Sequence, residues 1–502
     1  MGTRGTQTTI AGVLEAGAER ALRDSNPWWR GERQFGLPPI RRWAFEPTHK
    51  GLVRGLAPVT VLRGPRQVGK TTLLNQLIDQ LLDDGVAPER IFRVQFDDIP
   101  ALQRLSAPLL DLTAWYADHV LGCSVNAAAQ RHGGPIYLLL DEVQNLSDWA
   151  TQVKHLVDLQ PIRAVVTGSS ALRIEAGRDS LAGRLSTIEM GPLLLREVGE
   201  LRGLGKLPAY LPFNGLAPLK DKRFWEDLRA FGQTHRTLRD AAFGMFSQRG
   251  GYPLAHARAD ASWDEVAAQL IDTVVRRAIQ HDLRMGERGR RRDEPLLEEV
   301  FRLSCRYVGQ TPSQAIYLDE VRRSLDANIG WQRVLAYLKF LDAALLVRLI
   351  EPLELRLKRR KGSPKLILSD HALRAAWLQE VVPLEPAALQ AAPHLADIAG
   401  RLAESVAGQL FKSHNHLSVA YFPERGSEPE VDFVLTVGEQ RIPVEIKYRR
   451  RIDHADTRGL RAFLEKSVYN APFGVLVTQL DEPATDDPRI VSIPLPSLLL
   501  MR

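Results

Sequence analysis

The chain has 502 residues, 44% hydrophobic and 25% charged, which suits a soluble globular protein of about three domains and excludes a largely disordered one. Its net charge of +6 and pI near 9.3 are too small an excess to imply a nucleic-acid partner without a concentrated patch. Two cysteines, Cys123 and Cys305, exclude a disulfide framework and a zinc site, and no window reaches the ~18 apolar residues of a membrane span, so a reduced, cytoplasmic protein is expected.

Residues 1–50 read as an Arg- and Trp-rich N-terminal extension carrying Trp28, Trp29 and Trp43. Met1 to Thr6 fits the loose myristoylation pattern, a match too short to carry weight. Over residues 51–195, β-rich runs alternate with helical patterns. The runs are Pro58 to Leu62, Ile91 to Phe96, Ile136 to Leu140, Arg163 to Thr167 and Leu185 to Met190; the helices include Thr71 to Leu82 and Trp149 to Leu159. Such alternation predicts an α/β fold with a parallel sheet, and the unbroken apolar run at 136–140 predicts a central strand.

Gly64, Pro65, Arg66, Gln67, Val68, Gly69, Lys70 and Thr71, followed by Thr72, match G-x-x-x-x-G-K-[ST] between a strand and an amphipathic helix. Glycines let the backbone wrap phosphates, and the helix N-terminus favours the anion. Lys70 is expected to neutralise the β- and γ-phosphates of ATP, and Thr71 to ligate Mg²⁺. Leu138 to Glu142 is an apolar strand ending in two acids. Asp141 is expected to hold the Mg²⁺ shell and Glu142 to polarise the attacking water. One further strand, Ile91 to Phe96, intervenes in chain order and sets the pattern apart from kinase-type P-loop enzymes. Thr167 and Ser169 are candidate γ-phosphate sensors or simple turn residues. Arg184, with Arg178 in reserve, is the candidate arginine finger of a ring-forming ATPase, against the plainer reading of a solvated surface arginine.

The 64–72 run, Leu-Asp-Glu-Val-Gln at 140–144, Thr-Gly-Ser-Ser at 167–170 and Ala-Gly-Arg at 182–184 resemble a large prokaryotic family that pairs an AAA-type ATPase domain with an uncharacterised C-terminal domain. Gly-Gly-Tyr-Pro at 250–253 and Arg276 to Leu283 also resemble that family, so the likeness runs from about Asn26 onward. The family's C-terminal domain is similar to the PD-(D/E)XK nucleases. That resemblance implies an AAA-type (ASCE) P-loop domain and a nuclease-like fold at the C-terminal end.

Residues 196–295 read as a helical lid or insertion. Residues 296–385 read as three helices and a hairpin, Leu355 to Leu368, in which two strands flank a basic loop. This pattern resembles a winged helix, a module that binds nucleic acid or docks on proteins. Six cations and no acid lie between Arg356 and Lys365, and seven arginines against Asp282 and Glu287 lie between Arg276 and Arg292. Lys447 to Arg451 adds four more cations. These stretches concentrate what the average charge hides, and phosphate contact suits them.

Residues 395–502 carry Glu404 in a helical stretch, Asp432 in a strand, and Glu445-Ile446-Lys447 in the next strand. Alternation puts Glu445 and Lys447 on one face, with Ile446 packing inward. The order E…D…E-x-K resembles PD-(D/E)XK nucleases. It implies Glu404, Asp432 and Glu445 as ligands of Mg²⁺ or Mn²⁺ and Lys447 as the residue that orients water. Asp and Glu-x-Lys on a hairpin also occur as nothing more than a wet face.

The leading expectation is an ATP-hydrolysing, ring-forming protein, a hexamer favoured, that acts on nucleic acid, DNA ahead of RNA, and carries a metal-dependent nuclease. The alternative is an ATP-controlled regulatory or docking protein whose nuclease-like domain is inert. No membrane partner is expected.

Overall fold

Short runs of β-branched and apolar residues build the first sheet. Its strands are β1 (Val59–Arg63), β2 (Ile91–Gln95), β3 (Ile136–Asp141), β4 (Ile162–Gly168) and β5 (Leu185–Glu189). All pair in parallel, in the order β2-β3-β4-β1-β5. The computed structural model describes residues 14, 16–99, 102, 105–146, 148–168, 181–211, 215–258, 260–283, 293–355, 358–359, 362–424, 426–482 and 485–502. The chain divides into two units, residues 1–64 with 69–189, and residues 65–68 with 190–502.

Strand β3 is buried along its whole length, as a strand covered on both faces has to be. Chain order and sheet order differ. Ile91–Gln95 is the edge strand, and β4 is the one that separates β1 from β3 in the sheet. The carboxyl end of β4, with Thr167, therefore stands between the phosphate loop and the two acids.

The N-terminal extension has a structural task that its composition did not disclose. Asn26, fully buried, accepts the Arg93 N–H at 2.8 Å and donates to the Arg93 carbonyl at 2.9 Å. The indole N–H groups of Trp28 and Trp29 both donate to the Ile91 carbonyl, at 2.9 and 3.0 Å. An edge strand left open invites pairing with another chain, and these side chains close it.

In the second unit, helices Glu294–Arg306, Gln314–Leu325 and Trp331–Ala343 precede the hairpin. Its strands are not the ones the sequence suggests. β6 (Val347–Ile350) pairs antiparallel with β9 (Lys365–Leu368), and two-residue β7 (Glu354–Leu355) and β8 (Lys358–Arg359) form a separate inner ladder. The apolar run after Trp331 thus ends its helix at Ala343 and continues as β6.

The C-terminal sheet runs β10 (Ser418–Phe422), β11 (Val431–Val437), β12 (Gln440–Lys447), β13 (Gly474–Thr478), β14 (Ile490–Pro494). The first two pairings are antiparallel and the last two parallel. Helix Ala396–Lys412 brings Gly408 against Phe433 and Ile367. On the other side, Phe422, Val431, Leu460, Phe463 and Tyr469 form an apolar cluster.

Candidate functional site

Gly69 (φ 95°) and Gln67 (φ 62°) adopt left-handed backbone in the phosphate loop, a conformation that costs glycine little and lets the chain curl back on itself. Gly64, Pro65 and Val68 are buried, Arg66 is partly covered and Gln67 is exposed. Helix Lys70–Asp83 starts straight after Gly69 and buries Leu73, Leu74, Leu77, Ile78 and Leu81 along one stripe. That packing fixes Lys70, Thr71 and Thr72 in its first turn.

Lys70, 5% exposed, donates to the Gly64 carbonyl at 3.0 Å, and its Nζ lies 3.9 Å from a Glu142 carboxylate oxygen. Thr71 Oγ1 donates to Asp141 Oδ2 at 2.8 Å. Thr167 donates to the other oxygen of Asp141 and accepts the Glu142 N–H at 3.2 Å. Lys70, Thr71, Asp141, Glu142 and Thr167 therefore converge on one place. Asp141 is fully buried; burial raises its pKa, against the hydrogen bonds from Thr167 and Thr71 and the nearby Arg93 guanidinium.

Glu142 sits at φ 57°, rare for a non-glycine residue and typical of positions whose geometry serves function. Gln144 donates to its carboxylate and holds the side chain. The donor set suits a magnesium-bound nucleotide: a hydroxyl next to a carboxylate, and a buried ammonium at the loop. Arg93 went unnoticed in the sequence. It is 6% exposed, and its guanidinium lies 3.9 Å from Asp141. An arginine inside the apolar run Ile91 to Phe96 was the available signal.

Arg184 is half-exposed and ion-paired with Asp158 at 2.5 Å. Ser169 and Arg178 lie outside the described residues.

At the C-terminal candidate site, Glu404, Asp432, Glu445 and Lys447 are also brought near one another, with a fifth group among them. Lys365, at the start of β9 and 1% exposed, donates to Glu404 and to Asp432 Oδ1 at 3.4 Å, and lies 3.1 Å from Glu430. The rings of Tyr421 and Phe433 flank its ammonium at 5.6 and 5.5 Å. Burial opposes its charge, but Glu404, Asp432 and Glu430 outweigh burial and hold Lys365 well above the ordinary lysine range. Asp432 Oδ2 accepts the Ile446 N–H at 2.8 Å, and Lys447 donates to Glu445 Oε1 at 2.5 Å. Ile446 is buried, and Glu445 on the opposite face is buried as well, at 6% exposure, because both faces of β12 are covered there. Among the described residues no cluster of three or more His, Cys, Asp or Glu is arranged to hold a metal ion. With their oxygens turned to two ammonium groups and a backbone N–H, these carboxylates do not fit a divalent ion as they stand.

The basic stretches are more neutral than their composition. Lys365 is buried and Lys447 is bound to Glu445; Arg276 pairs with Asp272 at 3.0 Å and Arg449 with Asp456. Arg450 and Arg451 remain exposed. Residues 284–292, 356, 357, 360 and 361 lie outside the described residues.

Comparison with known proteins gives three family matches: an AAA domain over residues 57–199, DUF8612 over residues 242–381 and DUF4143 over residues 399–498, the latter two being domains of unknown function. An uncharacterised protein of Mycobacterium tuberculosis is 27% identical over 321 residues, 63% of this chain, and the match spans only 55% of its length. One of Methanocaldococcus jannaschii is 32% identical over 137 residues, 27% of this chain and 26% of its own. Among solved structures, a Walker-type ATPase of Pyrococcus abyssi aligns over 68% of this chain and 99% of its own, at 15% identity and TM-score 0.36. The Aeropyrum pernix ORC1 protein in complex with DNA aligns over 68% and 94%, at 13% identity and TM-score 0.27. No helix among the described residues is long and apolar enough to cross a membrane. The phosphate loop, the parallel sheet and the match over residues 57–199 together identify an AAA-type P-loop ATPase domain in this chain.

Proposed function

We propose that the chain hydrolyses ATP at the carboxyl end of β1, β3 and β4. The observation that carries this reading is the Thr71–Asp141 contact of 2.8 Å, continued through Thr167 to the backbone of Glu142. Lys70 and the loop N–H groups would bind the phosphates. Thr71 and Asp141 would hold Mg²⁺, which supplies positive charge against the phosphate oxygens. Glu142, turned by its left-handed backbone and steadied by Gln144, would polarise the attacking water. Arg184 serves a neighbouring copy in this reading only if its pair with Asp158 opens. A ring, with a hexamer favoured, remains part of the proposal.

The test is phosphate release and nucleotide binding in the full chain. Glu142→Gln should keep ATP binding and lose about 10²–10⁴-fold in turnover. Lys70→Ala should lose both. Hydrolysis retained in either variant at the wild-type rate removes the assignment.

For what the ATPase acts on, nucleic acid, DNA in the first place, is supported by the basic stretches around residues 284–292 and 356–361. The second reading is an ATP-controlled docking or regulatory protein with an inert nuclease-like domain. It is favoured by one observation, the seating of Lys365 among Glu404, Glu430 and Asp432. Metal-dependent cleavage would require those carboxylates to release their present partners.

A further inference from the structure

Four carboxylates converge where helix Ala396–Lys412, β11 and β12 meet: Glu404, Glu430, Asp432 and Glu445. Acids brought together where water is partly excluded repel one another, and a cation among them offsets that repulsion. In a PD-(D/E)XK-like fold that cation is a divalent metal. Here a lysine from outside the sheet reaches the same oxygens. Its approach is built into the fold: β9 is tied to β6 at Ile350, and Ser405 Oγ accepts the Leu368 N–H at 2.9 Å, one residue beyond Glu404. The rings of Phe433 and Tyr421 lie 5.5 and 5.6 Å from the ammonium, which is buried.

We infer that the Lys365 ammonium is the resident cation of this cluster, standing in for the divalent metal, so that the chain takes up no divalent ion there while β9 is in place. Three observations support it. Lys365 engages Glu404 and one oxygen of Asp432, two of the residues a metal would need. The remaining oxygen of Asp432 is occupied by the Ile446 N–H. Among the described residues, Glu445 keeps one buried oxygen, Oε2, with no hydrogen-bond partner, so the acid set there exceeds the described donors. Replacing Lys365 by a neutral side chain of similar length would return Glu404 and Asp432 to a cluster that already holds one uncommitted oxygen.

This inference is independent of ATP hydrolysis, and so is its test. Mn²⁺ is titrated into the nucleotide-free full chain, and the free-ion signal is followed by electron paramagnetic resonance. Each protein is measured with and without Asp432→Asn, so that any ion at the phosphate loop cancels. Wild type should show no Mn²⁺ site that depends on Asp432. Lys365→Met should gain one, weakened at least about tenfold by Asp432→Asn. If Lys365→Met is unfolded in chelator, recovery of its melting transition by Mn²⁺, and not by equal ionic strength of NaCl, also supports the assignment. An Asp432-dependent Mn²⁺ site in the wild type overturns it, whatever the variant does. A folded Lys365→Met that gains no ion overturns it too. So does one that stays unfolded with Mn²⁺ present, since the divalent ion should have replaced the lost charge.

Discussion

Asn26 mimics a sixth strand at Arg93, meeting both the N–H and the carbonyl of that residue with its own amide. One side chain thereby satisfies two groups that a free sheet edge leaves open. Asn26→Ala leaves both without a partner in a buried place, a loss of about 2–3 kcal/mol. Asn26→Asp keeps an acceptor for the Arg93 N–H but sets a carboxylate against its carbonyl, and should be no better. Chemical denaturation read by intrinsic fluorescence measures both variants. A change below about 0.5 kcal/mol in Asn26→Ala would show that the contact is not a stabilising one.

Thr167 links Asp141, proposed to hold Mg²⁺, to the backbone of Glu142, proposed to polarise the water. Thr167→Ala removes the donor to a fully buried Asp141 and the acceptor for the Glu142 N–H. Turnover should fall about ten- to a hundredfold, while Thr167→Ser, which keeps the hydroxyl, should stay within about threefold of wild type. Steady-state phosphate release distinguishes them. Equal rates for Ala and Ser would return Thr167 to the status of a turn residue.

Two effects oppose each other at Gly408. In a helix interior Gly→Ala ordinarily gains about 1 kcal/mol. Here the added Cβ would lie 2.8 Å from Phe433 Cζ and 2.9 Å from Ile367 Cδ1, both on fully buried side chains. Overpacking of that kind costs about 1–3 kcal/mol, so Gly408→Ala should destabilise, seen as a lower urea midpoint with an unchanged slope. A higher midpoint would mean that the helix and β9 part more easily than their packing indicates.

His256 and His414 are buried, and burial pushes both down from 6.5 to about 4. His256 faces the Gly250 carbonyl at 2.7 Å and His414 the Leu410 carbonyl at 2.9 Å. Above pH 6.5 both are neutral whether the chain is folded or not. As the pH falls, the unfolded chain takes up protons first, so stability declines between about 6.5 and about 4 and then levels. Each histidine adds a slope of up to about 1.4 kcal/mol per pH unit in that window. Replacing both by glutamine should flatten this limb of a denaturation-midpoint profile. An unchanged limb would place the acid sensitivity in other groups.

The phosphate loop was legible because its chemistry lies within nine consecutive residues, flanked by a strand and a helix that periodicity reveals. Asp141 and Glu142 were legible as acids ending an apolar strand. What reached them across the sheet was not. The order of strands depends on long-range pairing, which placed Ile91–Gln95 at the edge and β4 between β1 and β3. Arg93 and Asn26 took their importance from that order. Lys365 shows the same limit from the other side. Along the chain it counts as one of six neighbouring cations, whereas in the fold it is buried among acids 39 and 67 residues further on. A sequence gives the sign of a charge; burial and partners arise only from the fold.

The Lys365 contacts also bear on where the protein can be cut. The family matches stop at 381 and resume at 399, which invites dissection of the chain between them. Such a cut would leave the cation on one fragment and Glu404, Glu430 and Asp432 on the other. A fragment starting there would inherit acids without their Lys365 partner, together with an exposed Gly408 groove where Ile367 had packed. The gap between the two matches therefore falls between side chains that pair with one another, Lys365 on one side and Glu404 and Asp432 on the other.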